Sequence, residues 1–491
     1  MTWKTIFLRA ARFASTLALA GSLSAQSQIT ISVDAKKSGA AITPDFSGLS
    51  FELSQLLPDD NGVHYFRPDN QPLINLFQTL GIKNLRVGGN TADRSVRELP
   101  SQADIDSLFA FAKAAGVKVI YCLRLRNGNA NEDAQVAKYI MTHYPDQIDF
   151  FSIGQEPNVY PKTTNAMGHV TPRPAYAQIA PQWKWFEKTI VAAVPDIRLC
   201  GPSVDDNPDW PQEFMRDFGH GYHVAMITAH LYPGRNGETV PTPEIGRNQM
   251  LSDDFINVYQ KLYDGFVPTA LANGLPYRLE EANNYFKGGA TDVSDTFASA
   301  LWGLDFMYWW AEHDCSGINF HTGDKVSNGT EMRPSKYTAY FSTSDGFTVR
   351  PLGYGIKAFD VGGHGRFAAA TVSNPQKLNV STYAVLGDDK NLYVTIINKE
   401  HGEGARDANV ALSAEGFANA QTMALAAPNN DITAKTGATL GGSKIADSGS
   451  WDGKWATLDR VGETTTLGLP TGQFSIKIPA ASAMIIKLSA N

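Results

Sequence analysis

The sequence predicts an α/β protein, a (β/α)8 TIM barrel with a C-terminal antiparallel β-sandwich, and three patterns carry that expectation. Between about residues 45 and 325, short apolar or β-branched runs alternate with longer amphipathic stretches, as βα units around a parallel sheet require. Eight such runs suit a closed barrel better than an open doubly wound sheet. From about residue 375 the texture changes to period-two alternation punctuated by Gly, Asp, Asn and Ser, which reads as an antiparallel sandwich.

The barrel runs, in order, are FSGLSFEL (46–53), KNLRVGG (83–89), VKVIYCLRL (117–125), IDFFSIGQE (148–156), IRLCGPSV (197–204), VAMITAHLY (224–232), YRLEEANN (277–284) and GINFHTG (317–323). Between them QADIDSLFAFAKAAG (102–116), PQWKWFEKTIVAAV (181–194) and SDDFINVYQKLYDGF (252–266) set apolar residues three and four apart, the spacing of helices. Sandwich strands are expected at LNVSTYAVL (378–386), NLYVTIINK (391–399), ANVALS (408–413), GQFSIKIP (472–479) and SAMIIKLS (482–489). QITISVDAK (28–36) alternates in the same way and is expected to join them. The expected division is a signal peptide over 1–25, an N-terminal strand over 26–44, the barrel over 45–365 and the sandwich over 366–491.

With 491 residues, 43% of them hydrophobic, the chain can bury at least one large core. A net charge of −7 with no basic run argues against a nucleic-acid partner held through its phosphates. Lys4, Arg9 and Arg12 precede FASTLALAGSL (13–23), and Ser24 and Ala25 follow, as in a secretory signal cut near Ala25. That run is too short for a membrane anchor, which needs roughly 20 apolar residues. The richest later segment, ASALWGLDFMYWWAEHD (298–314), carries Asp305, Glu312 and Asp314. The mature protein is therefore expected to be secreted or periplasmic, with no membrane association. Cys122, Cys200 and Cys315 are widely spaced in apolar runs and read as buried thiols, not as a disulfide framework or a metal knuckle.

In a barrel the reacting groups come from the C-terminal ends of strands. The fourth run ends in IGQEPN (153–158), which sets Glu156 before Pro157, and the seventh ends in LEEANN (279–284), which offers Glu280 and Glu281. These strands lie on roughly opposite sides of a closed barrel, and strict alternation points Glu280 and Glu281 to opposite faces, so one of them looks into the mouth. Two facing carboxylates are what glycosidic hydrolysis requires: one protonates the leaving oxygen while the other attacks the anomeric carbon or activates water. The plainer alternative makes Glu156 a loop residue and pairs Glu281 with Arg278 or Arg86, although a strand-end glutamate is costly to bury without purpose. Other strand ends add Glu52, Asn90 with Asp93, Arg126 with Asn127 and Asn129, His230 with Tyr232, Asn283 with Asn284, and His321, a mixture suited to sugar hydroxyls. The sequence contains no G-x-x-x-x-G-K-[ST], H-E-x-x-H or G-x-S-x-G. HGYH (220–223) with His230 lacks a carboxylate at fixed spacing, and GGHG (362–365) opens no helix, so neither a metal nor a cofactor is expected.

LRVGGNTADRSV (85–96), IGQEPN (153–158), TAHLY (228–232) and LEEANNYFKGGA (279–290) resemble, in order and spacing, the signature stretches of glycoside hydrolase family 79, the clan A family of β-glucuronidases and heparanase. The terminal GLP…FSIKIPAASAMIIKL resembles that family's C-terminal sandwich. The resemblance implies an exported, retaining exo-β-glycosidase acting on carbohydrate, first of all a β-glucuronidase. A β-glucosidase or β-xylosidase on the same scaffold, or a non-catalytic carbohydrate-binding barrel, are the alternatives. It implies Glu156 as acid/base and Glu281 as nucleophile, with Glu280 in place of the Gly of the family's L-G-E motif. It further implies Glu52, Asn90 and Gln155 around the sugar hydroxyls and Tyr232 beside the nucleophile, while Asn284 and His321 join them as strand-end candidates. Exo action is expected because a heparanase-like endo cleft would be basic and this chain is net acidic. Two departures stand out. Gln155 replaces the usual Asn before the acid, and Phe286 and Lys287 stand where members that bind a glucuronate carboxylate have Tyr and Gly. Phe286 has no hydroxyl to donate, so Lys287 or an inward Tyr285 would have to replace that bond; otherwise the pocket prefers a neutral sugar.

Overall fold

The computed structural model of the chain describes residues 28–93, 98–160, 163–164, 170–328, 331–459 and 473–490. The expected signal peptide, the end of the first family-like motif (94–96) and the GLP of the terminal one lie outside the described residues.

All eight runs become barrel strands: Ser47–Glu52, Asn84–Gly88, Lys118–Leu123, Ile148–Ile153, Leu199–Asp205, Val224–Leu231, Tyr277–Ala282 and Ile318–His321. They neighbour one another in chain order, every pair is parallel, and the eighth closes on the first. The barrel expectation is thus borne out. The first, second and seventh strands are buried along their whole length, which is why they read as runs and not as alternation. The three expected helices form as Gln102–Ala115, Tyr176–Ala193 and Asp253–Ala272. The first opens on a capping box, Ser101 accepting from the Asp104 N–H while Asp104 accepts from the Ser101 N–H, and it stops at Gly116 with φ of 72°.

Polar groups fill the lower barrel, and they are bonded to one another, as burial demands. Arg278 Nε donates to Asn319 Oδ1 (2.7 Å), Asn319 Nδ2 to Asn84 Oδ1 (2.8 Å) and Asn84 Nδ2 to Asp149 (3.1 Å). This layer fixes the four strands beneath the mouth and spends Arg278 away from Glu281.

The second unit is one ten-stranded sheet. Ile29–Ala41 lies between Gly365–Ser373, antiparallel to it, and Ala408–Ala414, with which it makes the sheet's parallel pair. The remaining pairs are antiparallel. Alternation along Leu392–Asn398 and Ser482–Ser489 divides their side chains: Val394, Ile396, Ile486 and Leu488 join the sheet's own core, whereas Ile397, Ala483 and Ile485 join the core shared with the barrel. Helix Ala298–Glu312 fills that junction, with every residue from Ala298 to Ala311 buried, so its sequence is apolar all round. Its one buried acid is met there: Asp305 accepts from Lys399 Nζ (2.7 Å) and from the Tyr383 hydroxyl (2.8 Å). Among the described residues no helix is long and apolar enough to cross a membrane. All three cysteines are buried and free.

Asp305→Ala leaves the Lys399 ammonium buried and unpaired between the two units. The variant is expected to lose about 3–5 kcal/mol in equilibrium denaturation, whereas Lys36→Ala, which removes an exposed pair with Glu415, is expected to be neutral.

Candidate active site

Glu156 follows the fourth strand in a forced backbone position. Its φ is 45°, a left-handed conformation uncommon for any residue with a Cβ, and Pro157 then opens a short 3-10 turn. The surroundings hold it there. Glu156 N–H donates to the Ser203 carbonyl (2.8 Å), and Asp93 accepts from the N–H groups of Gln155 (2.7 Å), Leu125 (2.8 Å) and Arg126 (3.1 Å) and from the Tyr160 hydroxyl. One carboxylate thus ties the loops after the second, third and fourth strands.

On the seventh strand the register slips. Leu279 pairs with Ala229 and Glu281 pairs with His230, so Glu280 is the extra residue of a β-bulge. The bulge overturns the strict-alternation expectation: both glutamates turn toward the barrel interior. Arg86 Nη1 donates to Glu281 Oε2 (2.7 Å), and Arg86 Nε lies 4.0 Å from Glu280 Oε2. Glu281 lines the mouth, while Glu280 is wholly buried beneath it.

Glu281 is met on every side. Gln155 Nε2 donates to the same oxygen as Arg86 (3.1 Å), the Tyr232 hydroxyl donates to the other (2.9 Å), and His321 Nδ1 stands 3.9 Å away. Burial alone would raise its pKa, but the charges of His321, His230 and Arg86 and the Tyr232 hydrogen bond hold it well below the usual carboxylate range. Arg86 can lie flat here because its neighbour is Gly88: a Cβ at that position would sit 2.5 Å from the guanidinium carbon. His230 Nδ1 is 3.1 Å from Glu156 Oε1. One oxygen of Glu156, one of Glu281 and a ring nitrogen of His230 all lie within 4.8 Å of one another. The distances alone would suit a cation, but the guanidinium bonded to Glu281 already supplies the positive charge, so the group reads as two acids and an imidazole.

The mouth holds a cavity of about 280 Å³ lined by Glu156, Glu281, Asn90, Tyr232, Phe286, Lys287 and His321 among the residues expected from sequence. Asn90 donates to the Ser327 carbonyl (2.7 Å) and leaves its Oδ1 without a partner, an acceptor available to a hydroxyl. Phe286 stands edge-on to Tyr232 at 6.2 Å. Arg173, Asp205 and Tyr337 line the same cavity and were not expected. Tyr337 sits in the loop after the eighth strand and Arg173 between the fourth strand and its helix, segments with no periodic pattern to flag them.

Four of the expected residues have other partners in the structure. Asn284 is buried behind the mouth, bonded to Ser294 and Ser299, and does not line the cavity. Glu52 spends both oxygens on backbone N–H groups, of Thr91 and Ser327 (2.8 Å each), so it fastens two loops. Gln155 is fully buried and bridges Arg86 to Glu281; its longer arm reaches that carboxylate and its partner. Lys287 lines the rim but is paired with Glu238 (2.7 Å), and Tyr285 turns away to the Gly246 carbonyl (2.9 Å). Asn129 caps a helix, and His220 and His223 precede the sixth strand, at the end remote from the mouth.

No family model matches the chain. It is 24% identical over 326 residues to a β-glucuronidase of Aspergillus niger, a match covering 58% of this chain and 57% of that protein, so it spans little more than half of that relative's length. Among solved structures it resembles a 4-O-α-L-rhamnosyl-β-D-glucuronidase from Fusarium oxysporum 12S (TM-score 0.68, 17% identity, 94% of this chain and 100% of that one). It also resembles an α-L-arabinofuranosidase from Thermotoga maritima (TM-score 0.64, 15% identity, 94% and 99%). The solved structures bear out the barrel-plus-sheet fold, and the Aspergillus niger match agrees with the resemblance to glycoside hydrolase family 79.

The buried charge of Glu280 makes stability depend on pH. Burial raises its pKa, but the adjacent His230 ring and the Arg86 charge outweigh this and hold the group at about 2 against an ordinary 4.5. A depressed carboxyl stabilises the fold above its unfolded value and loses that contribution as pH falls. Denaturation midpoints are therefore expected to drop between pH 4.5 and 2, which a pH series of denaturant titrations reads directly.

Proposed function

We propose that this protein is an exported, retaining exo-β-glycosidase that removes β-linked glucuronic acid. The observation that carries the reading is the closeness of Glu156 and Glu281, one oxygen of each within 4.8 Å of the other. Retaining glycosidases hold their carboxyl groups about 5–5.5 Å apart, whereas inverting ones need about 6.5–9.5 Å to admit water. The names of the Aspergillus niger and Fusarium oxysporum relatives support the glucuronide as substrate class.

The chemistry runs in two displacements. Glu281, kept ionised by Arg86 and aligned by Tyr232, attacks the anomeric carbon while Glu156 gives its proton to the departing oxygen. The glycosyl ester that forms removes the charge of Glu281. Glu156, now a carboxylate, takes a proton from water, and the water oxygen attacks the same carbon and releases the sugar with its β configuration retained. The cavity, about 280 Å³, is at the lower end of ligand pockets (about 300–1,000 Å³), which supports a single terminal ring and hence exo action.

The sugar carboxylate needs a cation. Lys287 is held by Glu238, whereas Arg173, at the rim of the same cavity, has no hydrogen-bond or ion-pair partner among the described residues. Arg173 is therefore the proposed carboxylate partner, and its planar fork suits that group.

The test is hydrolysis of matched p-nitrophenyl β-glucuronide, β-glucoside and β-xyloside, with the first anomer followed by proton NMR. Preference for the glucuronide with a β first product is expected; an α first product would overturn retention, and a neutral-sugar preference would overturn the substrate class. Glu156→Gln is expected to lower kcat by about 10²–10⁴-fold on a poor leaving group, and Glu281→Gln to abolish turnover. Arg173→Ala is expected to raise KM for the glucuronide about tenfold or more while leaving glucoside hydrolysis unchanged.

A further inference from the structure

The double displacement uses Glu156 and Glu281 and leaves a third acid unexplained. Glu280, the extra residue of the bulge, is fully buried directly beneath them. His230, from the adjacent sixth strand, lies between it and Glu156: Nδ1 is 3.1 Å from Glu156 Oε1, and Nε2 is 3.6 Å from Glu280 Oε1. Neither His230 Nε2 nor Glu280 Oε1 has a hydrogen bond elsewhere, although the Ser203 side chain also stands near the Glu280 carboxylate. The second Glu280 oxygen faces Arg86 Nε at 4.0 Å and Cys200 Sγ at 3.9 Å.

We propose that Glu280 is a positioning residue that sets the tautomer of His230 and thereby keeps a proton on Glu156. The proposal rests on the reading of Glu156 as the acid/base. A carboxylate opposite Nε2 places the ring proton on that nitrogen, since only an N–H can satisfy it. Nδ1 is then a lone pair directed at Glu156, and the one hydrogen bond it can make is from the protonated carboxyl. Should the proton cross to Nδ1, the imidazolium is balanced by Glu280, and no charge is gained or lost by the group as a whole. The other charged or titratable groups packed around it are Arg86, Glu281, His321 and the Cys122 and Cys200 thiols, which burial pushes up and keeps neutral. The negative charge of Glu280 raises the proton affinity of the His230–Glu156 pair; removing it has the opposite sign.

The experiment compares the full-length protein with Glu280→Gln, which keeps shape and removes charge, and Glu280→Asp, which keeps charge. Two readouts are taken: the 15N NMR titration of the His230 ring, assigned by its loss in His230→Gln, and the basic limb of kcat/KM on phenyl β-glucuronide. In Glu280→Gln both midpoints are expected to move to lower pH by about one to three units, and Glu280→Asp is expected to restore them. A lower melting temperature with both midpoints unmoved in Glu280→Gln would overturn the proposal and leave Glu280 a structural ion-pair partner. A shifted ring titration in a parent protein that hydrolyses no glycoside would uphold the tautomer control and overturn the catalytic reading of Glu156.

Discussion

A carboxylate kept ionised away from water has to be met by positive charge and donated hydrogen bonds, and at this barrel mouth Arg86 meets that need for Glu281. Much of the upper barrel follows from that one contact. The guanidinium occupies space that only a glycine at position 88 leaves open, and Gly89, with φ of 66°, lets the chain turn past the Glu52 carboxylate. Gln155 spans from the same guanidinium to the same carboxylate, so the residue before Glu156 is committed to the surroundings of Glu281. Glu280 sits on the other side of Arg86 and shares its charge. An arginine with two acids around it can be wholly buried, whereas with either acid missing the balance of charge below the mouth changes.

The sheet unit bears on the mouth through a short chain of contacts. Its barrel-facing side chains pack helix Ala298–Glu312, whose Ser299 hydroxyl accepts from Asn284. Asn284 in turn accepts from Ser294 and fixes the segment that presents Phe286 and Lys287 to the cavity. The Asp305–Lys399 pair therefore pins the middle of the helix to the sheet, while the hydrogen bonds of Asn284 pin the rim. Asn284 is better understood as the join between these two levels than as a residue facing sugar.

The parts legible in the sequence are those that local pattern and chain position decide. All eight barrel strands could be read because burial on both faces makes each a continuous apolar run, and Glu156 and Glu281 could be read because a carboxylate straight after such a run has few structural uses. Gly365–Ser373 and Asn419–Ala426 were missed as strands since both are rich in alanine, which carries little strand preference. The bulge at Glu280 left no local mark, because register is set between strands. The capture of Lys287 by Glu238 was likewise invisible: it joins two loops that the barrel brings together.

Those non-local pairings decide what the mouth can hold. Glu281 and Asp205 line it, and Glu280 adds a further charge from below, so an anionic substrate is repelled unless a cation within reach is uncommitted. Arg86 is bonded to Glu281, and Lys287 is spent on Glu238, which Arg333 also engages. Without a hydroxyl, Phe286 offers such a substrate only an apolar edge beside Tyr232. A neutral sugar would need none of these charges answered, whereas a sugar acid needs one rim cation that is not already paired. Arg173 is the rim cation among the described residues that carries no such pairing, so under the proposed reading a carboxylate is met from the segment after Glu156 and not from the segment after Glu281.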